Sequence, residues 1–402
     1  MRPKAPSIVR ALFAGLCASL IGIGFARFSY TPLVPPLIRQ HWFPESAVVF
    51  LSAANLAGYL LGALGGRSLA RRTSNVLVLR LMQLLVAAAF FACAFPLSQT
   101  WFFAWRLLSG IAGGAIMVLV AATILPNVPK EREGAASGAI FLGVGVGIAA
   151  SGTLVPALLT HAGLRGTWIG LGIISVFLTL ANWTAWPAAV ETPSQAKGGT
   201  PARRAANAAG SSTLLDVVYG LMAIGLVPPM LFLVDYIARG RGAEPAAAAI
   251  VWIVYGIGSM CGPPGYGWLT DRLGATSAIR WTLGLQAAAL CALAFVHGTV
   301  ALCIVAFVVG SFPPGIVPLV LGWLREMYPN DASLQNAKWS RATVSFAAAQ
   351  AVSAYGYSAL FVASSRNYRL LFVIATATIA LALMLQIAGP MFWKKNSHEV
   401  SF

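Results

Sequence analysis

The chain has 402 residues, of which 58% are hydrophobic and only 9% are charged, with a formal net charge of +16. An ordinary soluble domain carries about 25% charged residues, so composition excludes that class. The basic residues are dispersed in short breaks between apolar runs, which argues against a nucleic-acid partner, and the five cysteines lack CxxC spacing, which argues against a metal or disulfide framework.

Apolar runs of about 20 residues, the length that crosses a ~30 Å hydrocarbon core, recur along the chain. They are too long and continuous for barrel strands, so the pattern predicts an all-α membrane protein. The first six spans are expected at roughly 8–38, 46–66, 75–96, 100–126, 134–160 and 166–187. The N-terminal basic patch and apolar run look like a secretory signal, but the run is long and many more follow, so it reads as the first span. A polar stretch at 191–212, rich in Gly, Pro, Ala and Ser, reads as a linker between a 1–190 unit and a 213–402 unit. Six more spans are expected at roughly 213–238, 246–268, 275–297, 299–323, 341–363 and 368–392.

Within the first span, "GFARFSY" places Arg27 and Tyr30 in an otherwise apolar segment. A cation there costs roughly 2.5–3.5 kcal/mol on insertion scales, which makes it a functional candidate by default. The second span offers Asn55 and Tyr59 one turn apart, and the fourth offers Arg106 in "RLLSGIAGG". Arg106 either faces a wet cavity, is held by a neighbouring helix, or snorkels to the membrane surface. The fifth span has Gly143, Gly147 and Ser151 in four-residue steps, which predicts close helix packing. In the seventh span Asp235 is the one acidic residue expected to be buried, either pairing with Arg27, carrying a coupling proton, or lying beside Arg239. The tenth span contains Pro313, Pro314 and Pro318, which predict a break or kink. Gln350 and Tyr355 in the eleventh span are further polar candidates.

Most Lys and Arg residues fall in the breaks that share a side with both termini, among them Arg67, Arg71, Arg72, Arg80, Lys130, Arg272, Arg280 and Arg325. Positive-inside bias therefore puts both termini in the cytoplasm. The halves also repeat: "PLVPP" in the first span answers "LVPPM" in the seventh, and "GALGGRSLARR" after the second span answers "GWLTDRLG" after the eighth. Paired halves in parallel orientation are the plan of a transporter with its site at the repeat interface.

"GWLTDRLG" resembles the Gly-x-x-x-Asp-Arg-x-Gly loop of the major facilitator superfamily, with Gly267, Asp271, Arg272 and Gly274 at the matching positions. In the first half Gly62, Arg67 and Arg71 match, but Gly66 stands in place of the Asp and Leu69 in place of the second Gly. Arg106 and Gly110 resemble the Arg-x-x-x-Gly pattern of the fourth helix, while Ile148 departs from the antiporter signature, which has Pro there. "GFARFSYTPLVPP" resembles the first-helix signature of the bacterial YbfB/YjiJ-like branch. The resemblance implies two six-helix bundles in a bacterial inner membrane, gating at the Asp-Arg loops, and a central cavity lined by the first, fourth, seventh and tenth helices.

Arg27 and Arg106 would make that cavity electropositive, so the expected function is proton-coupled transport of a small organic anion. The expected protein is a monomer in the lipid bilayer, without cofactor. Two rivals stand beside it: proton-driven efflux of an amphipathic or cationic compound, and a non-transporting sensor on a transporter fold. An enzyme is not expected, because the four histidines fall at span ends or in the tail and no HExxH or GxSxG occurs.

Overall fold

The computed structural model describes residues 7–129, 132–187, 209–329 and 331–398. Among these are eleven helices long and apolar enough to cross a membrane, and no strands. They are α1 (Ile8–Arg39), α2 (Glu45–Arg72), α3 (Asn75–Cys93), α4 (Gln99–Ile124), α5 (Glu133–Asn182), α6 (Ala209–Asp235, extended by a π-helical turn Tyr236–Gly240), α7 (Pro245–Leu273), α8 (Ala275–Phe295), α9 (Thr299–Met327), α10 (Ala332–Ala363) and α11 (Tyr368–His398). The central third of α1, Leu20–Phe28, is π-helical and lies between α-helical Ile8–Ser19 and Tyr30–Arg39.

The fifth and sixth expected spans form one 50-residue run, α5. A straight helix of that length would be about 75 Å long, far beyond the bilayer core. Gly163 interrupts it with φ 68° and ψ −174°, a conformation open to glycine and costly for other residues, and the run is two helices meeting there. The expected break between 160 and 166 falls on this residue.

Two expected loops are corrected. Helices α2 and α7 run on to Arg72 and Leu273, so Gly62, Arg67, Arg71, Gly267, Asp271 and Arg272 are helical, and only Gly274, with φ 76°, turns the chain. "RSLARR" contains good helix formers and no glycine or proline, which is why α2 does not stop early. It ends where Ser74 accepts a hydrogen bond from the Leu77 amide at 3.1 Å and caps α3. Helix α6 begins at Ala209, inside the last residues of the expected linker. Residues 191–208 lie outside the described residues, as does Lys130 of the charge argument.

Helix pairs α2–α4 and α7–α9 are built alike. A Cβ placed on Gly58 would lie 2.0 Å from the Leu107 carbonyl oxygen, and one on Gly110 would lie 2.0 Å from that of Asn55. At the corresponding positions of the second pair, a Cβ on Gly258 would lie 2.1 Å from the Phe307 oxygen, and one on Gly310 would lie 2.1 Å from that of Tyr255. Gly62 and Gly262 complete the pattern against Ile111 and Ser311. Positions 58, 62 and 110 thus recur at 258, 262 and 310, and backbone touches backbone in both pairs, the tightest approach that small residues permit in a membrane. On α5, Gly143 and Gly147 bring the backbone against Leu16 and Gly24 of α1, while Ser151 accepts a hydrogen bond from Trp252 Nε1 at 2.9 Å.

Candidate functional site

The π-helical segment of α1 determines the site. π-Helical stretches inside helices are frequent at functional sites, and this one carries Arg27 at 9% exposure. Its Nη1 donates to Gln350 Oε1 of α10 at 3.2 Å, and its guanidinium carbon lies 4.2 Å from the centre of the Tyr59 ring on α2. Nη2 is buried and has no hydrogen-bond partner. Arg27, Tyr59 and Gln350 line a cavity of about 80 Å³, together with Thr343 and a largely apolar wall, and among the described residues Arg27 is the only charged one in that lining. The lining extends to Tyr219 and Trp339, near the starts of α6 and α10, at the end of the molecule away from the α1–α2 turn.

Arg106 does not join that lining. It is 3% exposed, donates through Nη1 to the carbonyl of Ala26 at 2.7 Å, and lies 4.4 Å from the centre of the Tyr30 ring. Asn55 reaches the same carbonyl at 3.4 Å and donates to Ser109 Oγ at 2.9 Å, while Tyr30 donates to the Val48 carbonyl at 2.9 Å. The expectation that Arg27 and Arg106 share one electropositive cavity is therefore corrected. Arg106 and Asn55 hold the Ala26 carbonyl immediately before Arg27, while Tyr30 lies against the Arg106 guanidinium and ties α1 to α2 through Val48. Snorkelling is excluded by the same contacts. Tyr355 is also outside the lining and stacks on Phe50 of α2, with ring centres 6.4 Å apart.

Asp235 is fully buried but does not pair with Arg27. It accepts from Tyr368 Oη at 2.6 Å and lies 3.5 Å from Arg239 Nε, one turn along the same helix. Glu45, at the start of α2, pairs with Arg239 and, at 2.5 Å, with Arg366 between α10 and α11. These five groups tie the N-terminal helices to the C-terminal helices at the α1–α2 end of the molecule. Thr31 adds a hydrogen bond from α1 to the Met230 carbonyl of α6 at 2.7 Å.

Pro313 and Pro314 reach the cavity wall, but α9 is not broken, since its helix runs continuously from Thr299 to Met327. Pro314 has no N–H for the carbonyl four residues before it, Gly310. Ser259 Oγ of α7 donates to that carbonyl at 2.7 Å instead, supplying the missing bond from a neighbouring helix. At the α7–α8 turn Asp271 is exposed, and Arg272 lies over the Trp268 ring at 5.3 Å. Glu326 of α9 holds the start of α8, accepting from the amides of Ala275 and Thr276 and from the Thr276 hydroxyl.

Sequence reading missed Glu45, Tyr368, Glu326 and the aromatic wall of Tyr219, Trp339 and Phe346. Glu45 stands after a short polar break and reads as a helix-start acid. The aromatics read as ordinary apolar positions, and nothing in their local pattern separates a cavity wall from a lipid face.

Eleven membrane-length helices around a cavity with a buried cation in its wall suit a membrane transporter. The family model described as "Uncharacterised MFS-type transporter YbfB" matches residues 19–387, and the chain belongs to that family of the major facilitator superfamily. No curated protein matches the chain.

Proposed function

We propose that the protein is a secondary transporter that carries a small organic anion across a bacterial inner membrane by alternating access. The observation that carries this reading is Arg27, a buried guanidinium with Nη2 unpartnered, on the wall of a cavity that no other charged residue lines among the described residues. An anion supplies the missing charge and hydrogen-bond acceptor together, and guanidinium geometry suits a carboxylate.

In this reading α5 counts as two spans, and residues 1–190 and 213–402 form two six-helix bundles. The recurrence of the glycine contacts at 58, 62 and 110 at 258, 262 and 310 supports it. With both termini in the cytoplasm, the α1–α2 end faces outward and is closed by Glu45 with Arg239 and Arg366, while the cavity wall extends toward the cytoplasm. Asp235, hydrogen-bonded to Tyr368 within that outer network, is the group proposed to carry a coupling proton as the outer side opens. Opening and closing on the inner side falls to the ends of α2 and α7, with Gly62, Arg67 and Arg71 in one half and Gly267, Asp271, Arg272 and Gly274 in the other. The protein works as a monomer in this scheme.

A thermal-shift screen of wild type and Arg27→Gln against anionic, cationic and neutral metabolites tests the reading. A ligand that binds the folded state raises the apparent melting temperature by mass action. Stabilisation by an anion class in wild type, lost in Arg27→Gln, is the expected result. Stabilisation by lipophilic cations, equal in both proteins, would replace the reading with cation efflux.

A further inference from the structure

The wall opposite Arg27 narrows the ligand. Tyr219 packs on Phe346 with ring centres 4.6 Å apart and on Trp339 at 6.1 Å, and Phe28, Met117 and Met230 reach the same cavity. Gln350 and Tyr59 flank the guanidinium, while the Thr343 hydroxyl donates to the Trp339 carbonyl at 2.8 Å. One cation in a largely apolar lining matches a molecule with one negative charge and a hydrocarbon body.

A second carboxylate on the ligand would have to lie against this apolar wall without a counter-charge, and burying an unpaired ion costs several kcal/mol. A neutral analogue of the same shape would leave Arg27 uncompensated. Size adds a further limit. The cavity of about 80 Å³ is smaller than the roughly 150 Å³ apolar cavity that takes up benzene. A short branched acid, itself larger than benzene, and a benzoate-sized acid therefore both enter only as Met117 and Met230 repack, methionine being the side chain best suited to that.

We infer that the site, taken as the anion site proposed above, selects small hydrophobic monocarboxylates, with the carboxylate on Arg27 and Gln350 and the hydrocarbon body against Tyr219, Phe346 and Trp339.

Isothermal titration of the full-length purified protein with isovalerate, benzoate, malonate, isoamyl alcohol and isoamylamine tests this. Wild type binds isovalerate and benzoate at least tenfold more tightly than malonate or isoamyl alcohol, and Arg27→Gln loses at least tenfold for both monoacids. Phe346→Ala, which leaves the cation in place, weakens both monoacids severalfold and leaves malonate unchanged. It serves as the second variant should Arg27→Gln not fold. Malonate binding more tightly than isovalerate, with the preference lost in Arg27→Gln, overturns the hydrophobic selectivity and leaves the anion reading standing. Isoamylamine binding that survives Arg27→Gln overturns both. No binding of either monoacid to wild type overturns the selectivity inference.

Discussion

Arg106 donates a hydrogen bond to the carbonyl of Ala26, the residue immediately before Arg27. Two buried guanidinium groups thus meet at one short π-helical stretch, Arg27 on it and Arg106 reaching it from α4, with different tasks. Arg106 holds the backbone, and Arg27 lines the cavity with its buried Nη2 unpartnered.

Substitutions at the two arginines should separate stability from function. Arg106→Gln removes a charge-assisted bond worth about 1.5–3 kcal/mol and a buried contact with Tyr30, so thermal unfolding in detergent should show a clear fall in melting temperature. Arg27→Gln should melt within a few degrees of wild type, because it removes a cation that is only half satisfied, and should abolish anion binding. A larger loss of stability at Arg27 than at Arg106 would reverse the assignment.

The glycine contacts predict sharp sequence limits at the helix pairs. Gly58→Leu and Gly258→Leu each force α2 or α7 away from its partner, since the first added carbon already overlaps a carbonyl oxygen. Monodisperse protein on size exclusion should fall severalfold in both. Gly65→Ala, where nothing lies within 4 Å of the added carbon, should express normally and gain up to about 1 kcal/mol from helix propensity.

Much of the fold could be read from sequence because lipid allows few alternatives. Apolar runs located the helices, and the break expected between 160 and 166 contains Gly163, where the longest run turns. Helix ends were less legible, since the pattern cannot distinguish a loop from a helix that continues past the membrane, as at Arg67–Arg72. At the site, Arg27, Tyr59 and Gln350 stood out as polar residues in apolar spans, and the structure places all three on one cavity. Arg106, Asn55 and Tyr30 stood out for the same reason but serve the backbone, because whether a buried polar group faces a cavity or a carbonyl depends on contacts up to 80 positions away. The aromatic wall had no signal of its own.

Ser259 and Pro314 should be energetically coupled. Ser259→Ala strands the Gly310 carbonyl, which Pro314 cannot satisfy, and should cost about 1–3 kcal/mol. In a Pro314→Ala background the restored amide takes over the carbonyl, so the same change should cost much less. A double-mutant cycle of melting temperatures measures the difference, and strict additivity would show that the hydroxyl does not serve this carbonyl.

The ion pairs at the α1–α2 end predict a conformational bias. Glu45→Gln weakens the links to both Arg239 and Arg366 and should shift the population toward an outward-open state. A Thr31→Cys reporter should then react severalfold faster with a membrane-impermeant thiol reagent added from outside, measured above the background of the native cysteines. An unchanged rate would remove these pairs from gating.

The central claim is anion transport at Arg27, and counterflow in proteoliposomes tests it most directly. Vesicles containing wild type or Arg27→Gln are preloaded with isovalerate, benzoate, pyruvate or malonate, and entry of the same labelled anion is followed, with labelled ethidium as the cationic control. At least one anion should accumulate transiently with wild type and not with Arg27→Gln. Exchange of ethidium at equal rates in both proteins, with no exchange of any anion, would contradict the account.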